Sequence, residues 1–203
     1  MQDGVPSVVA SLQILPGVDI QQAGLDSYYV AVRGFNSSFN SNTYVMVDNR
    51  ESFNPGLGLV AYNSLPIDVL DIERIEVVRG PSSALYGPGA TSGVIHFITK
   101  NPFDYPGTSL SVGIGERSMY QASFRQAGVI KDRLGYKITG SYMEAEDWNY
   151  DPEDPLDAGF LNSINPNLRN RFGKVVRTYD GPDYDYYRLN LGGHLAYRFT
   201  DQV

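Results

Sequence analysis

A glycine-rich segment from Gly87 to Gly93 has the composition of a phosphate-binding loop. Glycines let backbone N–H groups approach an anion, but such loops need a strand before them and a helix after them. Here no Lys-Ser or Lys-Thr pair follows, and the β-branched and aromatic residues from Val94 to Thr99 predict a strand instead. We therefore expect no nucleotide site.

Carboxylates are concentrated in one polar segment, and carboxylate oxygens are the ligands that calcium prefers. The series consists of Glu144, Glu146, Asp147, Asp151, Glu153, Asp154 and Asp157. Its spacing matches no EF-hand loop, so a solvated connection is the better interpretation. No metal and no cofactor is predicted.

The remaining candidates for acid–base or nucleophilic chemistry are isolated. His96 and His194 are the two histidines, and each stands at an alternating position of a predicted strand. Ser82 and Ser83 lie in Gly-Pro-Ser-Ser-Ala, which is not the Gly-x-Ser-x-Gly elbow of serine hydrolases. With no cysteine in the sequence, thiolate chemistry is excluded as well. An enzyme is not expected.

Composition narrows the function classes further. The 203 residues carry a net charge of −7, whereas a nucleic-acid binder needs a basic face, so no nucleic-acid partner is expected. A hydrophobic fraction of 42% is enough for a folded core. No stretch of about 18 apolar residues is present, so a role in a membrane would have to use strands.

The residues before about Pro106 mix helix and strand signals. Pro6 suits the first turn of a short helix through about Ile14, and Leu15-Pro16-Gly17 should end it. Strands are predicted over 28–32, 43–47, 74–79 and 94–99. The pattern indicates a compact α+β unit over residues 1–106.

From residue 107 onward, apolar and polar residues alternate with a period of two, which is typical of strands whose two faces meet different surroundings. The alternating runs are 109–114, 120–125, 134–142 and 187–199. The last run is longer than the roughly 9 to 11 residues that a tilted strand needs to cross a bilayer. A soluble β-sandwich with tyrosine-rich faces would show the same alternation.

The connections between these runs also alternate in length. Short turns are predicted near 116–118 and 131–133, and a long polar connection runs from about 144 to 183. Outer-membrane barrels have brief periplasmic turns and longer external loops, which would place the long connection outside the cell.

The segment from Ile72 to Gly87 reads Ile-Glu-Arg-Ile-Glu-Val-Val-Arg-Gly-Pro-Ser-Ser-Ala-Leu-Tyr-Gly and closely resembles the core signature of TonB-dependent receptor plugs. Similar stretches lie upstream at 15–18, 32–35 and 45–48 and downstream at 89–100, in matching order. The resemblance covers most of residues 12 to 102. One departure is His96, where the family usually has Asn.

The resemblance implies an α+β plug domain over 1–106, followed over 107–203 by the first four or so antiparallel strands of an incomplete transmembrane β-barrel. A closed barrel of this family is expected to have about 22 strands. The TonB box and the first plug strand, which the family places before the helix at Pro6, are expected to lie outside this sequence.

The implied function is that of a receptor in the cell outer membrane of a Gram-negative bacterium, in contact with membrane lipid. It would bind a scarce extracellular small molecule, such as a ferric siderophore, a corrinoid or an oligosaccharide, and its partner TonB would drive uptake with the proton gradient. Two alternatives stay open: a signalling receptor of the same family, with an additional upstream domain, and a soluble β-rich binding module.

The resemblance also suggests residue roles. Arg33 and Arg79, at the family's Arg-Gly positions, are expected to form ion pairs between plug and barrel with carboxylates on further strands. The alternative is that they pair with Glu73 or Glu76. Ligand contact is expected from the apical loops that follow Arg33-Gly34 and Asp48. The candidates are Phe35, Asn36, Ser37, Arg50, Glu51, Ser52 and Phe53.

Overall fold

Two groups of strands organise the chain. The computed structural model describes residues 8–22, 27–34, 36–37, 42–54, 56, 59–116, 118–146, 168–169, 175–177 and 185–199. We call residues 8–105 the plug unit and the four long strands that follow the wall sheet. The predicted fold class, an α+β plug followed by antiparallel strands, is confirmed, and the wall sheet does not close into a barrel.

Short elements make up the plug unit. Its strands are β1 (Val18–Gln22), β2 (Tyr28–Val32), β3 (Thr43–Val47), β4 (Arg50–Glu51), β5 (Ile72–Arg79) and β6 (Gly93–Thr99). Its helical elements are 3₁₀ helices at Ala10–Ile14, Tyr62–Ser64 and Val69–Asp71, and α1 (Ser83–Tyr86).

The predicted strands of the plug unit agree with the structure to within two residues, but the strand β1 was not predicted. Its sequence, Val-Asp-Ile-Gln-Gln, carries only two β-branched residues, and it is held as a strand because it pairs antiparallel with β2. The predicted helix is seen as the 3₁₀ helix Ala10–Ile14, and the positions before residue 8 lie outside the described part of the chain.

The core of the plug unit lies between the β1–β2 hairpin and a four-stranded sheet of order β4-β3-β6-β5. The strands β3 and β6 are parallel, and the other neighbours are antiparallel. Val32 packs directly over Gly93, where an added Cβ would lie 2.5 Å from Val32 Cγ1 and 2.7 Å from the Val78 carbonyl oxygen. Only glycine permits this approach. The fully buried core residues include Leu12, Val32 and Phe97.

The wall sheet is an antiparallel meander. It consists of β7 (Gly107–Gly115), β8 (Met119–Ile130), β9 (Leu134–Ala145) and β12 (Tyr186–Tyr197), in the order β12-β9-β8-β7. Within the long connection, β10 (Leu168–Arg169) pairs antiparallel with β11 (Val175–Arg177), which the prediction of a polar loop did not anticipate. The β-branched Val175 and Val176 favour this local pairing.

The two faces of the wall sheet are inverted relative to those of a soluble sheet. The outer face exposes large apolar side chains, including Ile114 and Leu191, each 80% exposed. The face toward the plug unit instead buries polar side chains, including Ser123, Arg125 and Lys137. A soluble protein rarely exposes so large an apolar patch, whereas a strand between lipid and a polar lumen requires this arrangement.

No helix in the described ranges is long and apolar enough to cross a membrane.

We expect the substitution Gly93→Ala to loosen the contact between β2 and the plug sheet, because the new methyl group would overlap Val32 and the Val78 carbonyl. The cost of such overpacking is about 1–3 kcal/mol. Hydrogen–deuterium exchange of residues 28–32 and 93–99 in the purified protein measures it. The control is Gly113→Ala on β7, whose nearest neighbouring atom would lie 3.9 Å away. Equal protection in both variants would contradict the prediction.

Candidate functional site

The 3₁₀ helix Val69–Asp71 presents two carboxylates to the wall sheet. Asp68 caps this helix, because its Oδ1 accepts a hydrogen bond from Leu70 N at 2.9 Å. Its other oxygen, Oδ2, accepts a bond from Ser123 Oγ on β8 at 2.7 Å. The cap therefore fixes the turn and joins it to the wall sheet with the same side chain.

Asp71, the last residue of that helix, is the centre of the contact between the two units. Its side chain is buried, and its two oxygens bind different strands: Oδ1 lies 2.8 Å from Arg125 Nε on β8, and Oδ2 lies 2.8 Å from Lys137 Nζ on β9. Both cations are themselves at least nine-tenths buried. We call Asp71, Arg125, Lys137 and Thr99 the Asp71 cluster.

Backbone carbonyls and a hydroxyl accept further hydrogen bonds from the two cations, whereas Arg125 Nη2 is buried without a hydrogen-bond partner among the described residues. Arg125 Nη1 donates to the Tyr105 carbonyl at 3.0 Å. Lys137 Nζ donates to Thr99 Oγ1 at 2.9 Å and to the Lys100 carbonyl at 3.0 Å. A buried charge is tolerable only when it is paired and hydrogen-bonded, and each cation here meets both conditions.

The turn between β3 and β4 is connected to the same cluster. The Asp48 carboxylate accepts hydrogen bonds from Thr99 N at 2.8 Å and from Thr99 Oγ1 at 2.6 Å. Because Thr99 Oγ1 also accepts a bond from Lys137, it joins this turn to β9.

A second contact between the two units lies nearer the other end of the wall sheet. Arg188 Nη1 on β12 donates to the Asn63 carbonyl at 2.9 Å. Beside it is a cavity of about 250 Å³ lined by Asn63, Ser64, Tyr186, Tyr187, Arg188 and Asn190. The pairing of Arg188 with Met143 places the cavity where β9 ends and β12 begins, at the end of the sheet that carries the long connection.

The lining of this cavity suits an oxygen-rich or anionic small molecule. It combines a guanidinium, phenol hydroxyls and side-chain amides. The Nδ2 atom of Asn190 is buried and has no hydrogen-bond partner among the described residues. Donors of this kind recognise carboxylate, phenolate and hydroxyl oxygens.

The residues predicted to contact ligand occupy varied positions. Phe35 lies outside the described residues, and Ser37 is exposed. Asn36 Nδ2 donates to the Asp19 carbonyl at 3.1 Å and to the Tyr29 carbonyl at 2.8 Å, so it braces the β1–β2 hairpin.

The second predicted loop lies at the edge of the plug sheet. Arg50 and Glu51 are exposed in β4, Ser52 N donates to the Val45 carbonyl at 2.9 Å, and Phe53 packs against the core. Burial, and then the Glu51 carboxylate, raises the pKa of the Tyr44 phenol above its usual value. None of the described ligand candidates lines the cavity at Asn63, and their role in binding stays a prediction.

The structure brings Arg33 and Arg79 together around the turn at Pro16 and Gly17. Arg33 N donates to the Gly17 carbonyl at 3.0 Å, and Arg79 Nη1 donates to the Pro16 carbonyl at 3.0 Å. Their ion pairs with carboxylates on further strands stay a prediction.

The alternative partners of these arginines, Glu73 and Glu76, are both bound by Arg74, at 2.6 Å and 2.8 Å. The hydrogen bond that Arg74 donates to Glu76 raises the pKa of the Arg74 guanidinium above its usual value.

Sequence reasoning did not identify Asp71, Asn63 or Arg188 as contact residues between the two units. A signal for one side of these contacts was present, because Arg125, Lys137 and Arg188 all occupy polar positions of the alternating runs. Alternation predicts that such residues point toward the lumen, but it does not identify their partners on the plug unit. All members of the acidic series from Asp147 onward lie outside the described residues, and the described residues contain no cluster that could hold a metal.

We expect Asp71→Asn to weaken the seating of the plug unit by about 3–5 kcal/mol, because it leaves Arg125 and Lys137 buried without a counter-charge. Hydrogen–deuterium exchange of residues 66–75 measures the loss of protection. The matched control is Glu73→Gln, which removes an exposed ion pair and should change stability by less than about 1 kcal/mol. Similar effects of the two variants would show that Asp71 does not hold the units together.

Comparisons with known proteins identify relatives of this chain. Residues 1–94 match the family model described as the TonB-dependent Receptor Plug Domain. The vitamin B12 transporter BtuB of Vibrio vulnificus (strain CMCP6) is 31% identical over 155 residues, which are 76% of this chain and 25% of that protein. The chain thus spans about a quarter of the length of this curated relative.

Two solved structures share the fold across both units. The ferric enterobactin receptor of Pseudomonas aeruginosa aligns with a TM-score of 0.65 and 22% identity, over 96% of this chain and 29% of that one. The FrpB iron transporter of Neisseria meningitidis aligns with a TM-score of 0.63 and 16% identity, over 96% of this chain and 27% of that one. Likeness at this level of identity establishes the arrangement of the strands.

Proposed function

Because this chain belongs to the TonB-dependent receptors, we propose that it forms the plug and the first barrel strands of an outer-membrane receptor that imports a scarce nutrient. Energy would come from TonB and the proton gradient. The observation that carries this proposal is the Asp71 cluster, which seats the plug unit on the polar face of a sheet whose other face is apolar. Family membership also confirms the prediction that the chain is not an enzyme.

The two faces of the wall sheet support a position in the outer membrane of a Gram-negative bacterium. Exposed side chains such as Val112 and Leu189, 72% and 63% exposed, suit the hydrocarbon of a bilayer. The turn at 116–118 and the long connection after β9 leave from the same end of the sheet, and we assign that end to the cell exterior. The turn at 131–133 then faces the periplasm.

This orientation places the cavity at Arg188 and Asn63 on the external side of the plug unit. A nutrient arriving from outside would meet it before reaching the Asp71 cluster, which lies further along the strands. We propose that the cavity contributes to ligand binding, together with the predicted loops after Arg33-Gly34 and Asp48. A ferric siderophore, a corrinoid or an oligosaccharide would each supply oxygen acceptors, and Arg188 favours ligands that carry anionic oxygen.

The alternative of a soluble binding module is disfavoured by the outer face of the wall sheet. Leu110, Val112 and Ile114 are all at least 70% exposed on β7 alone. An apolar surface of this kind in water promotes association through strand edges and faces. A signalling receptor of the same family would carry the same plug unit and wall sheet, and it remains the second candidate.

The transport proposal predicts that uptake depends on two components. In a Gram-negative host that expresses the reading frame containing this chain, deletion of that frame and deletion of TonB should each abolish uptake of the ligand. Radiolabelled ferric siderophore and corrinoid, tested separately, measure uptake. The control is the restoration of uptake when the intact reading frame is expressed again. Uptake that continues without TonB would contradict the proposal.

Ligand contact can be tested residue by residue in the purified receptor. We expect Arg188→Ala to reduce ligand affinity by roughly ten- to a hundredfold, the loss typical of a charge-assisted hydrogen bond. Arg198→Ala is the matched control and should leave affinity unchanged, because Arg198 follows the far end of β12 and is stacked on Phe103. Arg50→Ala and Phe53→Ala test the predicted loop. If neither substitution changes the ligand affinity measured by isothermal titration calorimetry, that loop does not bind ligand.

A further inference from the structure

His96 lies in the middle of β6, between two neighbouring strands. It pairs with Met46 on β3 and with Glu76 on β5, and its side chain is 14% exposed. The Nε2 atom accepts a hydrogen bond from the backbone N–H of Asn49 at 3.2 Å. The Nδ1 atom lies 3.9 Å from Glu76 Oε2. The two ring nitrogens thus face groups of opposite character, a donor on one side and a carboxylate on the other.

The bond from Asn49 is possible only while the imidazole is neutral. A ring nitrogen that accepts a hydrogen bond has no proton, so the single proton of the neutral ring must sit on Nδ1, toward Glu76. When the ring takes up a second proton, Nε2 becomes a donor that faces another donor. The contact with Asn49 is then lost, whereas attraction to Glu76 increases. Histidine is the side chain that makes this change in mildly acidic solution.

Several contacts hold the turn that Asn49 belongs to. Asp48 and Asn49 have φ values of 46° and 64°, in the left-handed region that, apart from glycine, Asp and Asn adopt most readily. Backbone of this kind persists where surrounding bonds determine it. Here those bonds are Asp48 N to the Phe97 carbonyl at 3.0 Å, the Asp48 carboxylate to Thr99, and Asn49 N to His96.

The charges around the ring come from every strand of the plug sheet. They are Glu76 and Arg74 on β5, Glu51 on β4 opposite Met46, Asp48 and Arg50 at the turn, and the phenol of Tyr44 on β3. Arg74 is bound to Glu73 and Glu76, and Asp48 is bound to Thr99. Glu76 is therefore the carboxylate that faces the ring, with its Oε2 atom 3.9 Å from Nδ1.

We propose that His96 is a pH-sensitive clamp on the β3–β4 turn. At neutral pH the ring holds Asn49 N–H and keeps the turn in its left-handed conformation. In acid the ring exchanges this bond for an ion pair with Glu76, and the turn loosens. Because Asp48 of the same turn binds Thr99, whose hydroxyl accepts a bond from Lys137, the change reaches the Asp71 cluster. The clamp itself does not depend on the proposed transport function. The effect of the clamp on the position of the plug unit rests on that proposed function.

Hydrogen–deuterium exchange of residues 43–54 in the intact receptor, at about pH 5 and about pH 7.5, tests the clamp. The reference is His96→Gln, whose side-chain oxygen can accept the Asn49 bond but does not titrate. Comparison at equal pH removes the intrinsic pH dependence of exchange. The exchange rates should agree at the higher pH. At the lower pH the native protein should exchange roughly two- to tenfold faster, the effect of one hydrogen bond.

One further variant makes the outcome unambiguous. His96→Phe, which has no acceptor, should exchange faster than native at the higher pH. A native protein that matches His96→Gln at both pH values would overturn the proposal, as would a His96→Phe variant that stays fully protected. The readout is structural, so a failure of TonB-dependent uptake would leave it interpretable.

Discussion

The structure depends on how one buried carboxylate is neutralised. Asp71 lies at the interface of the plug unit and the wall sheet, and its two oxygens are bound by cations from two different strands. Each of the three charges would be expensive to bury alone. The plug unit therefore has one favourable position on β8 and β9, because a displacement along the strands would separate Asp71 from Arg125 and Lys137. The cluster therefore fixes the position of the plug unit along the strands more than it adds to net stability. Buried ion pairs often do little more than offset the free energy of their own desolvation.

The wall sheet makes this arrangement possible because its polar side faces inward. Strand alternation places Ser123, Arg125 and Lys137 on the face toward the plug unit, while the apolar residues of the same strands face outward. In water this orientation would be unfavourable. Between lipid and a filled lumen, both faces are satisfied. The plug unit is the surface that pairs with and buries the polar side of these strands.

Consecutive hydrogen bonds connect the sheet of the plug unit to the wall sheet. The turn at Asp48 is held from one side by His96 and binds Thr99 on the other, and Thr99 in turn contacts Lys137. A change at the β3–β4 turn can thus reach the wall sheet through consecutive hydrogen bonds. The contact of Arg188 with Asn63 is separate from this path and borders the cavity, so it joins the two units at a different level of the strands from the Asp71 cluster.

The sequence alone was sufficient for the fold class and the family, because both follow from local patterns. The period-two alternation after residue 107 identified strands with two unlike faces, and the run from Ile72 to Gly87 identified the plug. The inward orientation of Arg125 and Lys137 could be read in the same way. The pairing of those cations with Asp71 could not, because it joins residues 54 and 66 positions apart, and no local rule relates their strands to the 3₁₀ helix at Val69. The same holds for His96, which looked like an ordinary strand residue until tertiary packing placed the Asn49 amide against one ring nitrogen and Glu76 near the other. Local patterns determine which way a side chain points, whereas only the three-dimensional packing of distant segments decides what it meets.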